Sequence, residues 1–406
     1  MPDSSNVFMA RQPIYDRKVE LFAYELLFRR SEDQTSIDIQ QGEDADALIN
    51  TLVDIGLNQL AGETRAFINV SQDLLMSPSI LTLPKDRVVI ELLETIIPDP
   101  EVVDRVKQLR ALGYTIALDD FVFSAEITPL IDLAHIIKLE VMDVSELEIS
   151  RKMQKVKRPG MVLLAEKVET REQFGICEGL GFDLFQGYFF AKPELLKASR
   201  IPANRLSLMR LAAKLQAPDL QYADLEEIIA SDVALSYRLL KFVKSAHLGL
   251  PGTVQSVKQA LLFLGVNTVS SLTTLLAMTS NSSKPGELVT TALVRAKMCE
   301  LLAIVQKAEK PDRYFTVGLL SVLDALLDSP MQALLVELPL AEEINEALLN
   351  ADATSRVAQT LQATLAFERG EWDTSPLVNV SPRQICDAYN MAVSWASHSG
   401  AAMAAA

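Results

Sequence analysis

From residue 22 to residue 190 the sequence alternates between short apolar runs of strand length and longer stretches with helical spacing. Phe22–Phe28 (FAYELLF), Ala66–Val70 (AFINV), Val88–Leu92 (VVIEL), Thr115–Asp120 (TIALDD), Ile136–Glu140 (IIKLE), Val162–Ala165 (VLLA) and Leu184–Phe190 (LFQGYFF) read as strands. Between them, Asp44–Leu60 has helical spacing and stops near Gly62. Asp99–Leu112 is a second helix, with Asp99 as N-cap, Pro100 in the first turn and Gly113 just past the end. Strands alternating with helices imply parallel pairing through right-handed crossovers. Such a chain folds economically as a TIM-like (β/α)8 barrel, with a doubly wound open sheet as the runner-up.

The placement of polar residues favours the barrel. Glu25, Asn69, Glu91, Asp119, Asp120, Lys138, Glu166 and Gln186 lie in or at the C-terminal end of these apolar runs. Any one of them alone reads as a strand-end cap. In a barrel, all of them converge on the face where such folds keep their sites. The adjacent carboxylates of Asp119 and Asp120 repel each other, and a bound dication relieves that repulsion. Two dications held by carboxylates and an Asn amide oxygen can clamp a phosphodiester and generate a hydroxide nucleophile. A nearby Lys can stabilise phosphate charge or orient the attacking water, and a spare carboxylate can take the proton.

Charge and composition bound the partners. The net charge of −15 over 406 residues argues against nucleic acid, which calls for a basic face. It leaves room for a small anionic ligand held by metals and a few basic groups. Cys177, Cys299 and Cys386 lie far apart without ligand spacing and suit a reducing cytosol. The N-terminal MPDSSNVFMARQ lacks a signal pattern. The most apolar window, Ala260–Met278, is broken by Gly265, Asn267, Thr268, Ser270 and Ser271, so it reads as buried helices and not a membrane span. The expected location is cytoplasmic.

Past Pro193 the alternation stops and helical patterns follow. Leu208, Leu211, Ala212 and Leu215 make one apolar face, and Asp224 and Asp232 are placed to cap the helices after them. Ser256 and Gln259 fit a capping box whose helix ends at Gly265. Further helices are expected over Leu288–Lys307, Phe315–Leu327, Met331–Val336, Ala341–Leu349, Ser355–Phe367 and Pro382–Ser397, with a surface loop at Asn281–Gly286.

The motifs YELLFR, FINVS, IELLE, LDDF, IIKLE, AEKVE and FQGYFFAKP, in that order over roughly residues 7–195, resemble the bacterial EAL domain. The name-giving triplet is here Glu25-Leu26-Leu27. The resemblance implies a TIM-like barrel that hydrolyses cyclic di-GMP to linear pGpG with Mg²⁺ or Mn²⁺ in a two-metal site. It implies that Glu25, Asn69, Glu91 and Asp119 are metal ligands and that Asp120 serves the second metal. Lys138 would contact the attacking water or the metal site, and Glu166 would be the general base. Arg29 would contact a substrate phosphate, Glu169 and Gln186 would support substrate binding, and Glu94 would brace the loop after the Asp pair. Three positions depart from the family pattern. F-G-T-G-Y-S after the Asp pair is replaced by Phe121-Val122-Phe123-Ser124-Ala125-Glu126, which lacks the glycines. E-G-V-E is Glu166-Lys167-Val168-Glu169, so a Lys either turns to solvent or brings an ammonium near the site. Glu140 stands where Asp is usual. An EAL domain that binds cyclic di-GMP or protein partners without catalysis is the alternative.

The stretch SDVALSYRLLKFVKSAHLGLPG, with the preceding KLQAPD, resembles the HDOD domain, a helical relative of the HD phosphohydrolases. Ser321 and Val322 stand where the metal-binding His-Asp pair would be expected, and His247 and His398 are isolated. The resemblance therefore implies a non-catalytic regulatory domain with an unknown protein partner, in a protein that forms a homodimer. The expected organisation is an EAL domain over residues 1–195, a linker over 196–204, an all-α HDOD domain over 205–398 and a disordered tail over 399–406.

Overall fold

The computed structural model describes residues 8–29, 57–119, 126–187, 211–217, 219–230, 235, 236, 239, 240, 243, 256–279, 286–338, 340–350, 352–371, 377 and 379–404. The chain divides into two compact units, Met1–Phe189 and Phe190–Ala406. Asp120, the loop 121–125, the expected linker 196–204, Asp232 and His247 lie outside the described residues, as do the loop residues 281–285 and most of the helix expected over Asp44–Leu60.

The first unit is a closed eight-stranded barrel with strands in sequence order. They are β1 (Phe8–Asp16), β2 (Leu21–Arg29), β3 (Arg65–Val70), β4 (Val88–Leu92), β5 (Thr115–Leu118), β6 (Ile136–Glu140), β7 (Val162–Glu166) and β8 (Leu184–Gln186). Consecutive pairs from β2 to β8 are parallel. The first strand, which the alternation pattern omits, runs the other way. It pairs antiparallel with β2 and with β8, and so closes the barrel. A tight turn joins β1 to β2, with Val19 at φ 61° and Asp16 Oδ1 accepting from the N–H groups of Lys18 and Glu20.

The helix signals between strands act as expected. Helix α3 (Pro100–Ala111) follows α1 (Leu57–Ala61) and α2 (Gln72–Met76). Its N-cap Asp99 accepts from Val102 N at 2.8 Å, and Gly113 leaves it at φ 96°. Then come α4 (Thr128–Leu133), α5 (Glu146–Val156) and α6 (Arg171–Leu180), the last two opened by complete capping boxes. The barrel lumen holds one buried apolar side chain from each strand: Ile14, Ala23, Phe67, Val89, Ala117, Ile136, Leu164 and Leu184.

The second unit is helical. It contains α7 (Tyr222–Ala230), α8 (Val257–Leu264), α9 (Val266–Thr279), α10 (Gly286–Val305), α11 (Pro311–Leu320), α12 (Leu323–Leu327), α13 (Met331–Val336), α14 (Glu342–Leu349), α15 (Arg356–Glu368) and α16 (Pro382–Ala404). Gly265, at φ 78°, separates α8 from α9, and no described helix is long and apolar enough to cross a membrane. Three expectations are corrected. Helix α7 starts at Tyr222, so Asp224 is not its cap but lies in the first turn, where it accepts from Gln221 N at 3.2 Å. The helix expected over Phe315–Leu327 breaks at Ser321 and Val322 into α11 and α12. The last helix runs to Ala404 past the expected start of a disordered tail, because the alanine-rich end favours helix.

Candidate functional site

The site is the next layer of the same barrel. Successive side chains on a strand point to opposite faces, so two residues beyond an inward residue the chain points inward again. Two positions after each apolar lumen residue on the parallel strands stand Glu25, Asn69, Glu91, Asp119, Lys138, Glu166 and Gln186. On the reversed β1 the matching step is two residues back from Ile14, which is Gln12. Eight polar residues thus cap eight apolar ones at the C-terminal end of the parallel strands.

The ring is tightly bonded. Lys138 is 1% exposed and its ammonium is the hub. It donates to Glu25 Oε2 at 3.2 Å and to Glu91 Oε1, and it pairs with Glu166 Oε1 at 2.7 Å and Asp119 Oδ1 at 3.6 Å. Asn69 Nδ2 donates to Glu25 Oε1 at 3.1 Å. Gln186 Nε2 donates to Glu25 Oε2 at 2.6 Å and to Gln12 Oε1 at 3.0 Å. The Asp119 N–H donates to Leu92 O at 3.1 Å, which extends the β4–β5 ladder by one residue and holds Asp119 at the rim.

Four carboxylates face one ammonium, and their proton affinities record the imbalance. Burial and the neighbouring Glu25 charge push Glu91 well above the usual carboxylate range, against the pull of Lys138. Burial likewise raises Asp119. Burial carries Glu166 to about 8, with Lys138 opposing and Asp119 and Glu25 adding to the rise. Glu25 alone is lowered: burial raises it, but Lys138 and the hydrogen bonds from Gln186, Lys138 and Asn69 outweigh that. The same carboxylates hold Lys138 protonated against the opposing effect of burial.

Among the described residues, no trio of carboxylate, imidazole or thiolate groups is gathered into a ready coordination shell. The carboxylates turn instead to Lys138. The ring nevertheless fits a hard divalent cation. Asn69 Oδ1, Glu91 Oε2 and Gln186 Oε1 are buried acceptors without a hydrogen-bond partner, and the surplus of negative charge is what such a cation neutralises.

The other expected site residues are less central. Arg29 ends β2, with its side chain outside the described residues, as is Asp120. Glu94 is exposed in a turn and its charge acts on Asp119. The Glu169 N–H donates to Gln173 Oε1 at 2.8 Å at the start of α6. Gln12 was not expected in the site; the only trace of it in the sequence is the reversed two-residue step from Ile14.

In the helical unit, Ser321 and Val322 serve the core. Val322 is fully buried, and Ser321 Oγ donates to Gly318 O at 2.7 Å. The guanidinium of Arg295 lies beside them, donating to Ser321 Oγ at 3.2 Å and pairing with Glu368 at 2.8 Å.

Comparisons with known proteins agree with this division. A family model of the EAL domain matches residues 3–193, and one of the HDOD domain matches residues 201–371. The chain is 33% identical over 405 residues to the uncharacterized protein YuxH of Bacillus subtilis (strain 168), covering 96% of this chain and 98% of that protein. It is 33% identical over 375 residues to cyclic di-GMP phosphodiesterase CdgJ of Vibrio cholerae serotype O1 (strain ATCC 39315 / El Tor Inaba N16961), covering 90% of this chain and 85% of that protein. A standalone EAL protein of Vibrio cholerae O395 in its c-di-GMP-bound form aligns with 22% identity and a TM-score of 0.36, over 46% of this chain and 92% of that one. A barrel with this polar ring, a helical unit after it and relatives matched along nearly their whole length place the chain in the family of EAL–HDOD proteins.

Proposed function

We propose that the protein is a metal-dependent phosphodiesterase of bacterial cyclic di-GMP signalling that hydrolyses cyclic di-GMP to pGpG in the EAL barrel. The observation that carries this reading is the ring itself: converging carboxylates, buried amide and carboxylate oxygens without partners, and one buried ammonium. The name of the Vibrio cholerae relative, matched over most of both chains, supports the substrate. Glu25, Asn69, Glu91 and Asp119 are assigned as ligands, with Asp120 for a second ion, and Mg²⁺ or Mn²⁺ as the metals. Bound there, the metals supply Lewis acidity toward the phosphate and lower the pKa of water.

The charges of Asp119 and Glu25, which add to the burial-driven rise of Glu166, are offset by cations bound beside them, and as the carboxylate Glu166 takes the proton of the attacking water. The water oxygen bonds to phosphorus, the ring P–O3′ bond breaks, and the proton goes to the leaving 3′ oxygen. Lys138 holds Glu166 in place at 2.7 Å and offsets charge on the phosphate. Gln186, fixed by Gln12, orients Glu25. Arg29, Glu169 and Gln186 are assigned to substrate contact, and Glu94 to the loop after the Asp pair. The helical unit is assigned a regulatory role through homodimerisation and an unidentified protein partner.

The glycine-free sequence after Asp120 supports a second reading, in which the barrel binds cyclic di-GMP or a protein without hydrolysis. Turnover by the full-length protein in Mg²⁺ and in Mn²⁺, with binding followed in Ca²⁺, separates the two. We expect pGpG from the wild type and none from Glu25→Ala. Glu166→Ala should lose about 10³-fold or more in kcat while still binding the nucleotide. Wild-type turnover in that variant removes Glu166 as the base. Binding without product in the wild type selects the receptor reading.

A further inference from the structure

Lys167 directly follows Glu166, and its backbone lies in the left-handed region at φ 54°. A glycine would sit there without strain, whereas a residue with a Cβ does not. Strain kept at the edge of a site points to a use for the side chain. The ammonium of Lys167 is bonded to Glu140 Oε2 at 2.6 Å.

Glu140 shows where that places the charge. It lies two residues beyond Lys138 on β6 and is paired in register with Glu166 on β7. Lys138 and Glu166 both point into the barrel, so Glu140 does too, one layer above the ring. The Lys167–Glu140 pair therefore stands at the mouth of the site. It is open to solvent, with the Lys167 side chain 55% and the Glu140 side chain 27% exposed. Below it, among the described residues, four carboxylates surround a single ammonium. An anionic phosphodiester approaching that surplus of negative charge meets the Lys167 ammonium on the way in.

We propose that Lys167 is a substrate-contacting residue at the mouth of the barrel, its ammonium passing from Glu140 to a non-bridging oxygen of the incoming phosphodiester. The inference rests on the phosphodiesterase reading and adds to it a residue that sets affinity and salt dependence. An exposed ion pair is weak, so exchanging one oxygen partner for another is energetically easy.

The test is steady-state turnover of cyclic di-GMP by the full-length protein at several salt concentrations, for wild type, Lys167→Gly and Lys167→Arg. Glycine suits φ 54°, so Lys167→Gly should melt no lower than the wild type. Its KM should rise about three- to tenfold, its kcat should stay within about twofold, and its KM should depend less steeply on salt. Lys167→Arg should restore both KM and the salt dependence. An unchanged KM in Lys167→Gly, or a loss confined to kcat, overturns the inference. If the wild type binds without turnover, the same shifts are read on the Kd. A wild type that neither turns over nor binds cyclic di-GMP overturns the functional reading and this inference together, and the wild type alone reports that.

Discussion

His135 shows how one residue's contacts set its chemistry. It is half-buried, and the Ile116 N–H donates to its Nδ1 at 3.1 Å. That bond requires a neutral ring with its proton on Nε2. Burial, with the nearby Arg110 charge, lowers its pKa below the ordinary 6.5. The sign follows from linkage. The folded state binds the proton less readily than the unfolded chain does. The stabilisation from this residue is therefore complete above pH 6.5 and is lost as pH falls from there through the lower folded-state value. A histidine-ring NMR titration should show a midpoint below 6.5 for the resonance that disappears in His135→Gln. A midpoint at or above 6.5 contradicts the Ile116 contact.

Among elements, α10 and α15 are joined by a buried charge pair whose partners were not visible as a pair in the sequence. Arg295 Nε donates to both Glu368 oxygens, at 3.1 and 2.9 Å, and both residues are buried. Glu368→Ala should cost the helical unit about 3–5 kcal/mol in denaturant unfolding, because it leaves a buried guanidinium without its carboxylate. Replacing the pair together, as Arg295→Met with Glu368→Leu, should cost far less. A Glu368→Ala loss below about 1 kcal/mol would show that water reaches Arg295. Sequence reads local signals well: Asp99 and Gly113 bound α3 as expected. The parallel strands were equally legible, since each is a short, nearly continuous apolar run that carries its functional side chain two residues beyond a lumen residue. Strand β1 was not, because Arg11, Gln12 and Pro13 interrupt its apolar run and it lies antiparallel to its neighbours. The break between α11 and α12 was also hidden, since neither Ser321 nor Val322 is a helix breaker. Contacts across the fold, such as Lys167 with Glu140 or Arg295 with Glu368, leave no mark at the scale of a sequence window.

In the whole molecule, the barrel and the helical bundle are separate units with separate cores. Among the described residues, the buried cluster of four carboxylates around Lys138 lies in the first. Adding Mg²⁺ or Mn²⁺ should therefore raise the thermal transition of the barrel and leave that of the helical unit in place. At a metal concentration a hundredfold above Kd the gain is about 2.7 kcal/mol. Glu91→Ala should abolish the shift, and an equal shift of both transitions would place the metal elsewhere. The antiparallel closure has a consequence for synthesis. The hydrogen bond from Gln186 to Gln12 joins residues 174 positions apart. On the ribosome, β1 and β2 emerge early as a hairpin whose free edge awaits β8. Until that last strand arrives, the nascent chain carries an open edge able to pair with a neighbour, and Glu25 lacks one of the two amides that position it. The ring is therefore assembled late, when the two ends of the barrel meet, and a chain stalled before residue 186 is an aggregation hazard with no functional site.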